Sequence, residues 1–255
     1  MTKPRWAVTL AVVTMVLTEP GSAQTAGDLI AKNLKARGGA AAFDALKAVE
    51  FNGRLVFPGD FQLTYKETRS ASGAMRVDAA LQGLTLVQAF DGKSGWRINP
   101  FEGRKDAERM SDEEARSLAD TGSLRGPLQN ARADGSTVTY LGREDFDGTN
   151  AYKLKVAQKD GDEFVYLLDP NSMLEIKMIE TRRVRGALQV SEYEFGDYEE
   201  VGGVSFPMSV ENWQQGNDNQ RQRTLIAAAT ANVSAAPDMF VQPASPAVAA
   251  PTKGN

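Results

Sequence analysis

The 255-residue chain contains no histidine and no cysteine. Without histidine there is no side chain whose ordinary pKa lies near neutrality, so the usual proton relays are excluded. Without cysteine there is no thiolate nucleophile, no disulfide and no thiolate cluster, and the two absences together remove the common ligands of structural zinc. The carboxylates, lysines, serines and tyrosines that remain show no spacing of a triad, a catalytic acid pair or a metal loop. No enzyme activity, cofactor or metal is therefore expected, and catalytic residues are assigned to none.

Long hydrophobic runs are scarce as well. The apolar stretch Trp6 to Leu17 falls short of the ~18 to 20 residues that a membrane helix needs, and no other stretch approaches that length. Lys3 and Arg5 precede it, and Gly21-Ser22-Ala23 follow just before Gln24. A positive start, a short apolar middle and small residues at the end are the marks of a signal peptide over residues 1–23, with export and a mature start near Gln24. Removing that segment takes away two positive charges and one negative, moving the formal charge from -4 to -5. An acidic chain without a basic face is no partner for nucleic acid, whose phosphates must be met by clustered Lys and Arg. Arg182-Arg183-Val184-Arg185 is local and reads as a strand end and turn. An exported chain without disulfides is held by core burial alone, which a domain of this length can supply.

Two helices are expected first. Asp28 is placed to cap a helix carrying Leu29, Ile30 and Leu34 that stops at Gly38-Gly39, and a second short helix covers Ala40 to Ala48 with Phe43 and Leu46 on one face. Alternation then takes over. Phe51, Gly53, Leu55 and Phe57 share a parity, as do Phe61, Leu63 and Tyr65 after the Pro58-Gly59-Asp60 turn. Met75, Val77, Ala79 and Leu81 continue the pattern, and Gln82-Gly83 turns the chain into Leu84, Leu86 and Phe90. The run Asp91-Gly92-Lys93-Ser94-Gly95-Trp96-Arg97-Ile98-Asn99-Pro100-Phe101 combines a turn, a short strand and a stop. Ser111-Asp112-Glu113-Glu114 is a capping box that opens a helix with a narrow apolar stripe of Ala115, Leu118, Ala119 and Leu124, ended by Arg125-Gly126-Pro127. Strands resume around Val138 and Tyr140, Tyr152 to Val156, Phe164 to Leu168, Leu174 to Met178, Leu188 to Phe195, Val204 to Val210 and Thr224 to Val233. Short turns join them, so they are antiparallel.

The fold class is mainly β, in the α+β sense: an unclosed antiparallel half-barrel of about ten or eleven strands covered by short helices, because a twisted meander of this size curls. Its inner face is either filled by side chains as a core or left as a cavity for an apolar ligand. The candidate lining is large and soft. From the first hairpin it takes Leu55, Phe57, Phe61, Leu63 and Tyr65, and from the next strands Met75, Val77, Leu86, Phe90, Trp96 and Ile98. The later strands add Met178, Phe206 and Met208. The Ser111 helix is either a mobile lid or a permanently packed surface helix. Pro237-Asp238-Met239-Phe240 is the last docked segment, anchored by Phe240, and the Pro/Ala-rich tail 242–255 has too little apolar bulk to fold.

Asp91-Gly92-Lys93 with Trp96 and Asn99-Pro100-Phe101 resembles the periplasmic lipoprotein-carrier (LolA-like) superfamily, whose members are often labelled outer membrane lipoprotein-sorting proteins. Gly126-Pro127-Leu128, Leu141-Gly142-Arg143-Glu144-Asp145, and Tyr166-Leu167-Leu168-Asp169-Pro170 with Leu174-Glu175-Ile176 are similar to its second half, and the likeness spans residues 26 to 241. The resemblance implies a single domain over 24–241 that encloses lipid or lipoprotein acyl chains in the periplasm. It further implies a monomer moving between membrane-bound donor and acceptor proteins. In that family an arginine bonds the lid and moves when cargo enters; by position Arg69 is the nearest match, with Leu118 and Leu124 on the lid it would gate. Two other readings remain: a sensor or adaptor that binds a protein partner with the same fold, and an enzyme built on the scaffold.

Overall fold

Tight turns set the architecture. At Gln82-Gly83, Asp147-Gly148, Arg185-Gly186 and Gly202-Gly203 both turn residues have positive φ, the geometry whose twist matches two antiparallel strands joined by a two-residue loop. In the computed structural model, which describes residues 24–244, the strands are β1 (Ala48–Phe57), β2 (Phe61–Ser70), β3 (Met75–Leu81), β4 (Leu84–Phe90), β5 (Gly95–Ile98), β6 (Glu108–Arg109), β7 (Thr137–Phe146), β8 (Thr149–Ala157), β9 (Glu163–Leu168), β10 (Glu175–Val184), β11 (Ala187–Val201), β12 (Val204–Gln214) and β13 (Gln222–Ala231), and these turns join β3 to β4, β7 to β8, β10 to β11 and β11 to β12. The expected signal segment 1–23 and residues 245–255 of the expected tail lie outside the described residues.

The thirteen strands form one antiparallel sheet in the order β6-β5-β4-β3-β2-β1-β13-β12-β11-β10-β9-β8-β7. The unclosed, mainly β architecture read from the sequence is borne out. The strand count is higher than ten or eleven, in part because β6 has two residues and hence no periodicity to detect. The order has a consequence for the helices. Because β1 pairs with β13 at the centre, the free edges β6 and β7 are consecutive in sequence, so the chain between them must cross from one edge of the sheet to the other.

Helices α1 (Ala26–Ala36) and α2 (Gly39–Ala45) lead into the central strand, and α3 (Asp112–Gly122) and α4 (Gly126–Asp134) make the edge-to-edge crossing. The cap of α1 is Thr25 rather than Asp28. Asp28 sits at the third helical position, and each residue's side chain accepts a hydrogen bond from the other's backbone N–H, so Asp28 is the reciprocal half of a capping box. Ser111 caps α3 as read, with Glu114 as its partner. Gly126-Pro127 does not merely end a helix: it starts α4, where proline costs nothing because first-turn N–H groups have no intrahelical acceptor.

Three apolar clusters fill much of the concave face. Phe43, Leu46, Val49, Phe51 and Phe206 join α2 to the sheet centre; Leu29, Leu128, Leu154, Phe164 and Leu168 join α1 and α4 to β8 and β9; Met75, Phe90 and Ala115 join α3 to β3 and β4. On the convex face the last segment lies across β3 to β5. Phe240 is buried there, its carbonyl accepts from Trp96 Nε1 at 2.7 Å, and the Met239 carbonyl accepts from Arg76 Nη1 at 3.0 Å.

Polar groups tie the helices down. Arg37, at the end of α1 and buried, donates to the carbonyls of Ser205 (3.3 Å) and Arg125 (3.1 Å), lies 3.5 Å from Glu175, and has its guanidinium 5.2 Å from the Phe43 ring centroid. One side chain thus joins α1, the α3–α4 junction, β12 and β10. Asp120 on α3 meets Arg182 of β10 at 3.2 Å, and Arg182 also pairs with Glu180 and with Asp162. Arg182 is 5% exposed, an internal anchor near the end of β10, and the strand end and turn read from the sequence fall at Val184 and Arg185-Gly186. Burial raises the Asp120 pKa, against the opposing pull of the Gln158 bond and Arg182.

Two substitutions test this framework. Between Asn52 and Gly53 the β1–β13 register slips by one residue, leaving Ala227 unpaired, and a Cβ at Gly53 would overlap the Leu225 carbonyl oxygen. Gly53→Ala is expected to lose about 3 kcal/mol by forcing the two central strands apart, read by urea unfolding. Arg37→Leu leaves Glu175 without its cation and three carbonyls without a donor, and is expected to cost about 3–5 kcal/mol and to open Ser123–Pro127 to limited proteolysis ahead of the sheet.

Candidate functional site

The concave face is not filled everywhere. Between β1–β4 and α3, toward the end that carries the Pro58–Asp60 and Gln82-Gly83 turns, a cavity of about 560 Å³ remains. Its size falls within the roughly 300–1,000 Å³ range of small-molecule sites. The alternation that forms the strands also builds its wall: Leu55 and Phe57 on β1, Phe61, Leu63 and Tyr65 on β2, Met75 and Val77 on β3, and Leu86 on β4 all point in. The bulge at Ala227 shifts the parity of β13, bringing Thr224 and Ile226 to the same face. Leu118 and Thr121 of α3 form the roof. At the mouth the Phe57 and Phe61 rings lie 5.8 Å apart, and Phe61 and Phe101 are 49% and 43% exposed, so apolar surface runs from the rim inward.

Deeper in, the wall turns polar. Glu67 is buried and receives three hydrogen bonds: Tyr65 Oη at 2.8 Å, Arg69 Nε at 2.6 Å and Arg69 Nη2 at 3.2 Å. Burial works against the Arg69 charge, but Glu67 more than restores it and its pKa lies above the ordinary value. Burial, with Glu67 adding to it, raises the Tyr65 pKa and keeps that phenol neutral. Arg69, Tyr193 and Phe206 separate this cavity from a second chamber of about 170 Å³ beneath the α3–α4 junction. There Tyr193 donates to Glu180 at 3.0 Å and Tyr198 to the Glu175 carbonyl at 2.9 Å, and burial together with those carboxylates raises both phenol pKa values. The arrangement offers enclosed apolar volume with a neutralised polar floor.

The residues singled out from the sequence divide into four groups. Those named on β1–β4 above line the large cavity, and Phe206 lines both chambers. Met178 and Leu124 line the second chamber, and Leu118 roofs the first. Phe90 and Met208 face inward but are spent in packing, against Met75 and Ala115 in one case and within the central cluster in the other. Trp96 and Ile98 are on the opposite face. They pair across β4 with Ala89 and Val87, which alternate with the inward Leu86 and Gln88, and they pack with Ala107 in a convex-face cluster.

Arg69 lies in the cavity wall and is bonded to Glu67 of its own strand; the bonds from an arginine to the α3–α4 junction are made by Arg37. Sequence reading missed Arg37, Glu67, Tyr193 and the wall of β13. Extending the parity of β2 one step past Tyr65 finds Glu67. The β13 residues carry no such signal, because the bulge that turns them inward appears only in the pairing.

No family model matches the chain, and no curated protein matches it in sequence. Solved structures do match. A LolA superfamily protein from Nitrosomonas europaea superposes with a TM-score of 0.60 at 12% identity, covering 86% of this chain and 98% of its own. An outer membrane lipoprotein-sorting protein domain from Vibrio parahaemolyticus gives 0.56 at 10%, covering 84% and 97%. A DUF1329 family protein from Desulfovibrio piger gives 0.56 at 10%, covering 86% and 98%. At these identities the likeness is one of fold, and the resemblance read from the sequence holds at that level: the chain has the unclosed, helix-lined half-barrel of LolA superfamily proteins.

Proposed function

We propose that this protein is a periplasmic carrier or binder of lipids or lipoprotein acyl chains, which it encloses between β1–β4 and α3, working as a monomer between membrane-bound donor and acceptor partners. The observation that carries the reading is the 560 Å³ cavity, whose apolar wall runs unbroken from the exposed rings of Phe61 and Phe101 to Met75. A fold that only needed a core would close this space with larger side chains, as α1, α2 and α4 close the rest of the concave face. Each methylene taken from water into such a wall contributes about 0.8 kcal/mol, so even part of one acyl chain supplies a useful affinity. The signal-peptide pattern of residues 1–23 and the fold shared with a lipoprotein-sorting domain support the compartment and the cargo class.

Leu118 and Thr121 roof the cavity from a helix anchored mainly at its ends, through Glu114–Arg97, Asp120–Arg182 and the Arg37 contacts beyond its C-terminus. Entry of a chain requires α3 to shift relative to β2 and β3, and these polar anchors set the cost of that movement. In this reading Arg69 does not latch the lid; with Glu67 it forms the floor against which a chain terminates.

The test is native mass spectrometry with lipid extraction on the mature protein from its own compartment, beside a Leu55→Trp variant. Leu55 is half-buried on the cavity wall, so an indole there fills the space without removing a core residue. Wild-type protein is expected to carry a stoichiometric lipid, and the folded variant to lose it, with affinity for an added acyl lipid falling at least about tenfold, or ~1.4 kcal/mol. A wild-type protein that stays free of lipid after incubation with vesicles sinks the carrier reading.

A further inference from the structure

The two ends of α3 are held differently. At its first turn Glu114 pairs with Arg97 and with Arg185, each at 3.1 Å, and the Ser111 backbone N–H holds that carboxyl below its ordinary pKa. At its last turn Asp120 enters a cluster on β10 and the β8–β9 turn in which charge does not balance. Asp120 and Glu180 both engage Nη2 of Arg182, and Asp162 lies 3.1 Å from its Nη1. Three carboxylates thus share one buried guanidinium; Asp162 and Glu180 are buried with it and Asp120 is half-buried. The second cation, Arg116 of α3, stays 3.9 Å from Asp162 and lies 3.5 Å from Asp160, which is itself exposed. Asp162 Oδ2, Arg182 Nη1 and Nε, and Arg116 Nε are all buried without a hydrogen bond, so Asp162 is held by charge alone.

Nothing nearby makes up the shortage. Among the described residues no other Lys or Arg pairs with these carboxylates. The remaining cations of the second chamber, Arg37, Arg69 and Arg125, are taken by Glu175, Glu67 and Asp44. Tyr166 of β9 and Tyr193 of β11 line the same chamber, and burial keeps both phenols neutral. Excess negative charge in so dry a cluster is costly, and a proton relieves it. With α3 seated, burial raises the pKa of Asp120 and of Asp162, against the opposing pull of Arg182 on both and of the Gln158 bond on Asp120. With α3 lifted, Asp120 returns to water and to the ordinary carboxylate range. The seated state therefore takes up a proton at a pH where the lifted state does not. That preference is complete below the ordinary carboxylate pKa and is lost as pH rises through the raised value of the seated state. Glu114 has the opposite sign, so its pairs persist through this window and give way only in stronger acid.

Resting on the carrier reading for what the cavity holds, we infer that Arg182 with Asp120, Asp162 and Glu180 is a proton-operated latch on the roof helix. It seats the C-terminal end of α3 in mild acid and frees it toward neutrality, with the Glu114 pairs as the hinge, so that cargo exchange quickens as pH rises. Leu118 and Thr121 lie between hinge and latch. The protons that seat the helix therefore also close the cavity, and their loss lets the roof lift.

Amide hydrogen exchange of the lipid-free mature protein at about pH 5 and about pH 7.5 tests the latch, with rates corrected for intrinsic exchange and β9 as the reference. Relative to β9, protection of residues 112–122 is expected to be at least about fivefold higher at the lower pH, and Asp120→Asn, which cannot ionise, to hold it within about twofold across the two. In a second measurement, a bound pyrene-labelled phosphatidylcholine, whose head group does not titrate in this range, is released to acceptor vesicles. Its release is expected to be at least about fivefold slower at the lower pH in the wild type and to lose that dependence in the variant. Protection of α3 that is the same at both pH values overturns the latch and leaves the carrier reading standing, and so does a pH dependence that survives in the folded variant. Protection that responds while release does not overturns the gating. Uptake of no labelled lipid at either pH removes the carrier reading and the gating with it. Should Asp120→Asn fail to unfold cooperatively on heating, Asp162→Asn takes its place under the same criteria.

Discussion

The pairing of the first strand with the last is the constraint on which the rest of this structure depends. With β1 beside β13 at the sheet centre, the chain reads outward from the centre to one edge, crosses, and returns from the other edge to the centre. The crossing is forced to span the concave side, because β6 and β7 lie at opposite ends of thirteen strands. Helices α3 and α4 are that crossing. A meander with sequential order from one edge to the other would have needed no segment over its concave face. In this fold the roof of the cavity follows from connectivity.

The same pairing explains why the cavity sits where it does. On the side of β7–β10 the concave face is filled by α1 and α4, and at the centre by α2 with Phe43 against Phe206 at 6.5 Å. On the side of β1–β4 only α3 is available, and it touches the sheet closely at one end, where Gly122 lies against Met75 with no room for a Cβ. Toward the other end nothing replaces it. The unfilled volume is therefore the part of a curved sheet for which the chain has no remaining helix, and the apolar residues that alternation places there stay facing open space.

Charge is handled by two different means on the two faces. On the convex face, pairs such as Lys66–Glu50 are surface pairs, worth little individually. Inside, Arg37–Glu175, Arg69–Glu67 and the Arg182 cluster are nearly dry, and their value lies in what breaking them would cost. They stand where helices meet the sheet and where the two chambers meet, so they define positions that apolar packing alone would leave degenerate.

Much of this was legible in sequence, for a local reason. Alternation of period two, Gly-bearing turns and the Ser111–Glu114 capping box each depend on residues a few positions apart, and they yielded the strands, their antiparallel sense, the edge-crossing helix and the inward set from Leu55 to Leu86. Tertiary structure alone decided the rest. The bulge at Ala227 turns Thr224 and Ile226 inward through a register that exists only once β13 lies beside β1. Trp96 and Ile98 have the hydrophobicity of lining residues, yet their parity relative to β4 puts them outside under Phe240. Arg37 looks like any helix-terminal arginine until the fold brings Leu124, Arg125, Glu175 and Ser205 around it from three other segments. A sequence carries the period of a strand but not which of its two faces is enclosed, because that depends on pairing partners a hundred or more residues away.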